Sequence, residues 1–359
     1  MQKEIEAKLS QYQDAYLEKD LLAAKVIKHI EVEIDKIILD LVFGYPITGV
    51  KEDIQAALTA LLTPIALGKT IDIKLSSQID AHGKQGIQGL ANVKNIIAVG
   101  SGKGGVGKSV TAVNLALALA GEGAQVGLLD ADIHGPSQPA MLGVVGERPV
   151  FHEKSLLPIK RHGIQSMSIG YLLDQETPIV WRGPMIGKAL QQLLKDTRWE
   201  ALDYLIVDLP PGTGDIQLTL CQKIPVSGAV IVTTPQDLAL LDVRRACEMF
   251  NKLSVPILGV IENMSGYQCL HCHHEEAIFG AGGGAKLAQE YLLPLLGKIP
   301  LAVSIREMTD QGCPPVVAEP DGRYAKLFYQ IARKIAAKLS LQAKDYSARF
   351  PKIKVMNEY

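Results

Sequence analysis

The stretch Gly102-Lys103-Gly104-Gly105-Val106-Gly107-Lys108-Ser109 decides the fold of this chain. It fits the pattern G-x-x-x-x-G-K-[ST], whose glycines let backbone amides curl around a phosphate group. The apolar run before it, residues 95–99, is typical of a buried parallel strand, and the Ala- and Leu-rich run 110–120 after it is typical of a helix. A strand, a glycine loop and a helix in this order predict a nucleotide-binding loop over residues 102–109.

Two residues of this loop have expected contacts. Lys108 is predicted to bind the β- and γ-phosphates, and the Ser109 hydroxyl is predicted to bind Mg²⁺. The N-terminus of the following helix adds unpaired N–H groups and the positive end of a helix dipole. Lys103 has no role in an ordinary loop of this kind, so it needs a separate explanation.

The composition of the chain limits its class. With 359 residues, 47% hydrophobic and 21% charged, it is long enough for two or three domains with a substantial core. A formal net charge of −1 offers no support for a nucleic-acid or membrane-surface partner, since both favour basic patches. No apolar run approaches the roughly 18 residues of a spanning helix, and the first residues are charged, so we expect a cytoplasmic protein.

Two units and a linker are expected along the chain. Residues 1–80 are predicted to form a small α+β unit, with a helix over Ile5–Ile30, one or two strands over 31–43, a helix over 51–62 and a strand over 70–76. Glycines and a lack of periodicity mark 81–94 as a linker. Residues 95–342 are predicted to be one α/β domain, and 343–359 a mildly basic tail.

The second unit alternates apolar runs with helical stretches. The runs lie at 95–99, 126–130, 204–209, 229–233 and 257–261. Strands separated by helices predict a doubly wound, mostly parallel sheet, so the fold class is α/β of the P-loop NTPase kind, preceded by a small α+β domain. In such sheets ligands bind at the carboxyl ends of the strands.

Polar residues follow several of these strands. The run at 126–130 ends at Asp130, with Asp132 two residues later, and Asp208 lies at the end of the run at 204–209. A carboxylate at a strand tip near a phosphate loop typically anchors Mg²⁺, and Asp208 is the better candidate. Asn263 comes after the run at 257–261, and its amide suits the edge of adenine. Strand-end caps and turn residues are the alternatives for each of them.

One close pair stands out among the five cysteines, in Cys269-Leu270-His271-Cys272. This spacing lets both thiolates face one metal, but zinc and a [4Fe–4S] cluster usually take four ligands. Two chains that each supply Cys269 and Cys272 would reach four thiolates in a symmetric homodimer. A zinc site with His271, His273 or His274, a redox pair and a purely structural pair are the alternatives.

Taken together, these motifs resemble the Mrp/ApbC family. The resemblance rests on the loop with Lys103, DADIHGP at 130–136, DLPPGTGD at 208–215, TTPQD at 233–237 and ENMSGYQC at 262–269. Members of that family are P-loop ATPases of the MinD/ParA type that act as iron–sulfur cluster carriers. The first unit is similar to the iron–sulfur-assembly domain of bacterial members, but its loop 44–49 lacks the cysteine that such domains often carry there.

The resemblance implies roles for the site residues. Lys103 would reach across a dimer to the partner's ATP, Asp132 would position the hydrolytic water, and Asp130 and Asp208 would surround Mg²⁺. It also implies a bridging [4Fe–4S] cluster, with apo-proteins and scaffold proteins as partners.

The resulting hypothesis is a homodimeric ATPase with slow turnover that carries a cluster. Two other classes stay open. A MinD/ParA-like spatial-organising switch would share every nucleotide residue but would leave the cysteine pair unexplained. A zinc-bridged metallochaperone would use the same thiolates.

Overall fold

A computed structural model describes residues 1–83, 89–133, 135–153, 155–172, 183–269, 271–272 and 274–344. The first unit contains α1 (Gln2–Leu9), β1 (Gln13–Asp14), β2 (Lys19–Asp20), β3 (Ile27–Val32), β4 (Lys36–Phe43), α2 (Lys51–Leu62) and β5 (Thr70–Ser77). β3 and β4 form an antiparallel pair, and β5 lies parallel to β4 after the α2 crossover. The expected helix over 51–62 and the strands within 31–43 and 70–76 are confirmed.

The alternation of side chains along β4 gives this unit its core. Every second residue of the strand is buried, and the residues between them are half-buried. Because successive side chains point to opposite faces, one face of the strand is apolar throughout. The buried side chains that this strand and the two helices contribute to the core are Ile37, Leu39, Leu41, Phe43, Ile5, Leu9, Ile54, Leu58 and Leu62.

The helix expected over Ile5–Ile30 is wrong beyond Leu9. The Asp14 and Asp20 carboxylates each accept two backbone N–H groups from the residues two and three positions later. Such local bonds between side chain and backbone favour turns over helix. The chain therefore turns twice and enters β3 inside the range that was expected to be helical.

The second unit follows with elements that alternate for most of its length. In chain order they are β6 (Val93–Gly100), α3 (Lys108–Gly121), β7 (Val126–Asp130), α4 (Gln138–Met141), β8 (Phe151–His152), β9 (Ser155–Leu156), β10 (Ile159–Arg161), β11 (Ile164–Ser168), α5 (Gly183–Asp196), β12 (Leu202–Asp208), α6 (Asp215–Lys223), β13 (Gly228–Thr233), α7 (Asp237–Lys252), β14 (Ile257–Gln268), β15 (Glu275–Glu276), α8 (Gly283–Glu290), β16 (Leu295–Leu301), α9 (Val303–Asp310), α10 (Pro315–Ala318) and α11 (Arg323–Ser340).

One large sheet organises this unit. Within the described residues it has nine strands in the order β10-β11-β7-β12-β6-β13-β14, with β15 and β16 both paired to β14. The β10–β11 and β14–β15 pairs are antiparallel, and the other pairs are parallel. The predicted α/β fold with a mostly parallel sheet is confirmed. Since β6, β7, β12 and β13 run parallel, their carboxyl ends share one edge of the sheet.

β14 is longer than the predicted run at 257–261 and extends to Gln268. Its first half is apolar and mostly buried, whereas residues 263–268 are more polar and half-buried, except that Asn263 is buried. The second half carries no hydrophobic signal, yet pairing with β15 and β16 keeps it extended. The strand therefore continues from the core of the sheet to the cysteine pair.

Hydrogen bonds between the first unit and a buried ion pair of the second unit join the two units. Arg333 of α11 pairs with the Glu122 carboxylate at the end of α3, and Arg333 Nη1 donates to the Tyr16 hydroxyl over 2.9 Å. The other carboxylate oxygen of Glu122 accepts the Gly49 N–H over 2.9 Å. Tyr16 and Gly49 belong to the first unit, so these two hydrogen bonds hold it against the C-terminal end of α3. Loss of either Arg333 or Glu122 would leave the other as a buried unpaired charge.

The domain boundaries at 80, 94 and 342 stay predictions. Residues 84–88 of the expected linker and 345–359 of the expected tail lie outside the described residues. In the parts of the chain that the structure describes, no helix combines the length and the apolar character needed to cross a membrane.

Candidate functional site

The glycine loop lies between β6 and α3. Gly105 and Gly107 both have a φ of +79°, a left-handed conformation that L side chains rarely adopt. At Gly102, an added Cβ would lie 2.4 Å from the backbone of Asp242 in α7. The loop therefore needs glycine for its shape at two positions and for close packing at a third. It presents the first turn of α3 to an incoming phosphate group.

Lys108 is the first residue of α3 and is nearly buried, with 6% of its side chain exposed. Its ammonium group forms an ion pair with Asp208 Oδ1 at the end of β12, and it lies 3.3 Å from the Ser109 hydroxyl oxygen. Bound phosphates would compete with Asp208 for Lys108, and a bound cation would compete with Lys108 for Asp208. The structure thus brings the predicted phosphate and magnesium ligands into mutual contact.

Asp130 and Asp208 occupy paired positions at the ends of the neighbouring parallel strands β7 and β12. Both are fully buried. Burial, followed by the charge of Asp208, raises the pKa of Asp130 to about 7. The two carboxylates and the Ser109 hydroxyl are hard oxygen ligands, and two carboxylates that repel each other favour a cation between them. This donor set fits Mg²⁺.

Gln138 is a member of this site that the sequence analysis missed. Its backbone N–H donates to Asp130 Oδ2 over 3.1 Å. Its side-chain Nε2 donates to Asp208 Oδ2 over 2.9 Å and to the backbone oxygen of Ser109 over 3.1 Å. Gln138 therefore links the glycine loop to both strand-end carboxylates. No motif marks it, because a single glutamine between Pro136 and Pro139 carries no signal for metal binding.

Asp132 is half-buried beside Asp130, and its backbone N–H donates to Asp130 Oδ1 over 3.1 Å. Its place next to the paired carboxylates agrees with the expected role, which stays a prediction. Lys103 leaves the loop toward the residues that follow β13. Its Nζ donates to Gln236 Oε1 over 3.4 Å, so the lysine is held within its own chain by a long hydrogen bond.

Asn263 lies on β14 against the glycine loop. Its Nδ2 donates to the backbone oxygen of Val106 over 2.8 Å, and an added Cβ on Gly107 would lie 2.1 Å from that nitrogen. One amide hydrogen therefore holds the loop, and reading of the adenine edge by the rest of the amide stays a prediction. The next residue, Met264, has a φ of +56°, and the pairing of β14 with β16 is interrupted after Asn263. A left-handed methionine at this point marks local backbone strain.

Cys269 and Cys272 lie at the tip of the hairpin that β14 and β15 form. The Cys269 N–H donates to the backbone oxygen of His274 over 2.9 Å, which closes the tip. Both thiols are free, Cys272 is exposed and Cys269 is partly exposed. Hydrogen bonds from the backbone of Cys272 and His271 lower the pKa of the Cys269 thiol. These bonds favour the thiolate, which is the form that binds metal.

The hairpin offers two thiols from one chain as candidate metal ligands. Among the described residues, no group of three or more His, Cys, Asp or Glu side chains is placed to hold a metal ion. His271 and His274 are exposed, and His273 lies outside the described residues. Cys247 is buried in α7, where burial raises its thiol pKa to about 12, so it acts as a small apolar side chain, as does buried Cys221.

Two families match parts of the chain. The family described as NUBPL iron-transfer P-loop NTPase, of the ParA group, matches residues 92–336. The family described as iron-sulfur cluster assembly protein matches residues 2–73.

Individual relatives agree with these families. The chain is 49% identical over 336 residues to a protein of Escherichia coli K12 named iron-sulfur cluster carrier protein, covering 93% of this chain and 91% of that one. It is 48% identical over 265 residues to a Mus musculus protein named iron-sulfur cluster transfer protein NUBPL, covering 73% and 83%.

Solved structures share the fold of the second unit. A nucleotide-binding protein from Archaeoglobus fulgidus, solved in complex with ADP, has a TM-score of 0.58 at 36% identity and covers 66% of this chain and 93% of its own. The cell division ATPase MinD of Pyrococcus furiosus has a TM-score of 0.52 at 23% identity, covering 67% and 98%, which indicates a common fold alone. From its glycine loop to its cysteine hairpin, this chain belongs to the NUBPL family of iron-transfer P-loop NTPases.

Proposed function

We propose that this chain is an ATP-hydrolysing iron–sulfur cluster carrier that works as a homodimer. Each of two copies supplies Cys269 and Cys272 to one bridging [4Fe–4S] cluster, which passes from there to apo-proteins. The names of the relatives from Escherichia coli and Mus musculus support cluster carriage, and the ADP-bound relative supports a nucleotide site. A cytoplasmic location, scaffold proteins as partners and the lack of nucleic-acid and membrane partners stay predictions.

One observation carries the proposal: a single strand connects the glycine loop with the cysteine pair. Asn263 on β14 contacts Val106 of the loop. Cys269 directly follows the last residue of β14 and lies at most about 20 Å from Asn263, at about 3.3 Å per residue. In this proposal a movement of the loop reaches the hairpin through this stretch of backbone, which would let ATP binding and hydrolysis control the carried cluster.

The nucleotide half of the proposal assigns a role to the polar side chains around the glycine loop. Lys108 binds the β- and γ-phosphates, while the Ser109 hydroxyl, Asp208 and Asp130 hold Mg²⁺ directly or through water. Bound Mg²⁺ neutralises charge on the phosphate oxygens. Asp132, beside Asp130, orients the attacking water.

Lys103 acts on the nucleotide of the partner subunit. Its hydrogen bond to Gln236 is long at 3.4 Å, so little energy is needed to release the ammonium group. A positive charge placed at the transferring phosphoryl group stabilises the transition state. The dimer that allows this contact is also the one that joins two cysteine pairs.

Anaerobic reconstitution with iron and sulfide tests the proposal. The wild-type protein should gain absorbance at about 400 nm and should activate an apo-protein that requires a [4Fe–4S] cluster. The double variant Cys269→Ala, Cys272→Ala should do neither. Cys313→Ala is the matched control, because this partly exposed thiol lies outside the hairpin, and it should take up the cluster as the wild type does.

Two other outcomes would replace the proposal. Uptake of zinc alone by the wild-type protein would favour a zinc-bridged metallochaperone. ATP hydrolysis without uptake of iron or zinc would favour a spatial-organising switch of the MinD/ParA kind.

A further inference from the structure

One atom of the Gln138 side chain has no partner. Only 1% of the Gln138 surface is exposed, and its Oε1 is buried without a hydrogen-bond partner among the described residues. A buried carbonyl oxygen without a donor costs free energy, so such atoms are rare in folded proteins. This one lies within the predicted magnesium site, since the nitrogen of the same amide bonds Asp208 and Ser109.

The neighbours of the amide determine its orientation. Nε2 faces a carboxylate oxygen of Asp208 at 2.9 Å and the backbone oxygen of Ser109 at 3.1 Å, and both of these atoms are acceptors. A half-turn of the amide would place its oxygen against two other oxygens. The nitrogen therefore faces Asp208 and Ser109, and Oε1 points elsewhere in the site.

The missing partner must be a donor, and no donor of the described residues lies within hydrogen-bond distance of Oε1. The Ser109 carbonyl is an acceptor, and the Lys108 ammonium group is engaged with Asp208 and lies 3.3 Å from the Ser109 hydroxyl oxygen. Magnesium in proteins usually keeps several water ligands, and the charge of a bound cation makes such water a strong donor. A water molecule bound to magnesium is therefore a suitable hydrogen-bond donor for Gln138 Oε1.

We infer that Gln138 is a positioning residue for magnesium, whose Oε1 accepts a hydrogen bond from a cation-bound water while its Nε2 holds Asp208 in place. The inference rests on the nucleotide half of the proposed function and is independent of cluster carriage. Part of the increase in nucleotide affinity that Mg²⁺ causes is therefore assigned to Gln138. Without the cation, Oε1 gains no donor, and nucleotide binding gains nothing from this oxygen.

Binding of ADP to the full-length protein tests this role, with Kd measured in excess Mg²⁺ and again in EDTA. In the wild type, Mg²⁺ should tighten ADP binding. Gln138→Met keeps the volume of the side chain and loses the amide. In this variant the tightening by Mg²⁺ should fall about tenfold, the effect of one hydrogen bond to a charged group, while Kd in EDTA stays within about twofold of the wild type.

Two further variants sharpen the test. Gln138→Asn keeps an amide but is one methylene shorter, so it should also lose part of the Mg²⁺ effect, and it decides the question if the methionine variant does not fold. Gln165→Met is the matched control, because Gln165 is a buried glutamine whose Oε1 accepts the Glu200 N–H over 3.0 Å, away from the carboxylates. It should show the full Mg²⁺ effect.

Three results would overturn the inference. The first is an equal Mg²⁺ effect in the wild type and the folded Gln138 variants. The second is an equal loss of affinity with Mg²⁺ and with EDTA, which is the pattern of an amide that merely supports the loop. The third is a wild-type protein that does not bind ADP, which would also overturn the nucleotide half of the proposed function. Normal ADP binding without cluster uptake would contradict cluster carriage alone and would leave the role of Gln138 intact.

Discussion

Asp130 and Asp208 lie side by side at the strand ends but have different surroundings. Asp208 is paired with the Lys108 ammonium group. The hydrogen bonds that Asp130 accepts come from neutral donors, namely two backbone N–H groups and the Ser168 hydroxyl. Neutral donors offset the cost of burying a charge less than an ammonium group does. The pKa of Asp130 is accordingly about 7, far above the ordinary 3.8. Asp130 therefore ionises near neutral pH.

The raised pKa predicts how the substitution Asp130→Asn changes stability. The unfolded chain ionises Asp130 above about pH 4, but the folded chain does so above about pH 7, so the wild type loses stability as pH rises between these values. The asparagine variant lacks this loss. Its free energy of unfolding relative to the wild type should therefore increase with pH, by up to about 4 kcal/mol across this window.

Urea unfolding in EDTA at several pH values measures this difference. EDTA is required because a bound cation would stabilise the ionised carboxylate and reverse the trend. A stability difference between the two proteins that is constant from about pH 4 to about pH 7.5 would contradict the assignment.

At the scale of elements, the root of the cysteine hairpin is held at two neighbouring positions of β14. Asn263 bonds Val106 in the glycine loop, and the Glu262 carboxylate accepts the Gly284 N–H over 2.6 Å at the start of α8. Beyond these two residues β14 continues to the cysteine tip, and the chain returns through β15. Met264, with its positive φ, is the first residue after the Asn263 anchor. The cysteine hairpin is therefore held at its base, and one of the two contacts that hold it is made to the glycine loop.

Removing the anchor on the loop should uncouple the hairpin from the nucleotide. In Asn263→Ala, the rate at which a chelator removes the cluster should no longer respond to ATP, because the bond from β14 to Val106 is lost. The decay of absorbance at about 400 nm with and without ATP measures the response. Ser265→Ala removes a hydroxyl that bonds Ile299 from the same strand, and it should keep the response. A full response to ATP in Asn263→Ala would show that coupling follows another route.

Local elements were more predictable from the sequence than long-range contacts. The glycine loop, the apolar runs and the strand-end aspartates carry their signal within a few residues, and the structure places them as expected. Gln138 was missed because its partners come from three separate segments of the chain. The second half of β14 was missed because its extension depends on pairing with β15 and β16 rather than on apolar residues.

For the whole molecule, the proposed activity requires two chains. Each hairpin offers two thiols, which is half of the usual ligand set of a [4Fe–4S] cluster. Lys103 contacts Gln236 of its own chain and has no place in an ordinary phosphate loop. A symmetric dimer would supply both the second pair of thiols and a lysine from the partner chain, since each chain receives the same contribution that it gives.

Mixing of two inactive variants tests the contribution of Lys103 across the dimer. Lys103→Ala and Asp132→Ala should each lose ATP hydrolysis while keeping their fold. In a mixed dimer, the Lys103→Ala chain keeps its own Asp132 and receives Lys103 from its partner. An equal mixture should therefore recover about a quarter of wild-type activity per chain, because half of the dimers are mixed and each has one complete site.

Far-ultraviolet circular dichroism of each variant checks the fold, and phosphate release measures hydrolysis. A mixture that stays as inactive as its components would mean that Lys103 serves its own site. Undiminished hydrolysis by Lys103→Ala in the presence of an intact dimer would mean that hydrolysis does not require Lys103.

Helix α3 sets the distance between the glycine loop and the contact with the first unit. It begins at Lys108 in the phosphate loop and ends at Gly121, directly before Glu122, to which the first unit is anchored. Its 14 residues form a rod about 21 Å long. Deletion of a single residue within it would rotate Glu122 by about 100° around the helix axis, away from Gly49 and Arg333. The length of α3 is therefore constrained by these contacts as strictly as the residue type is at the glycines before it. We expect insertions and deletions in α3 to be the least tolerated in the chain.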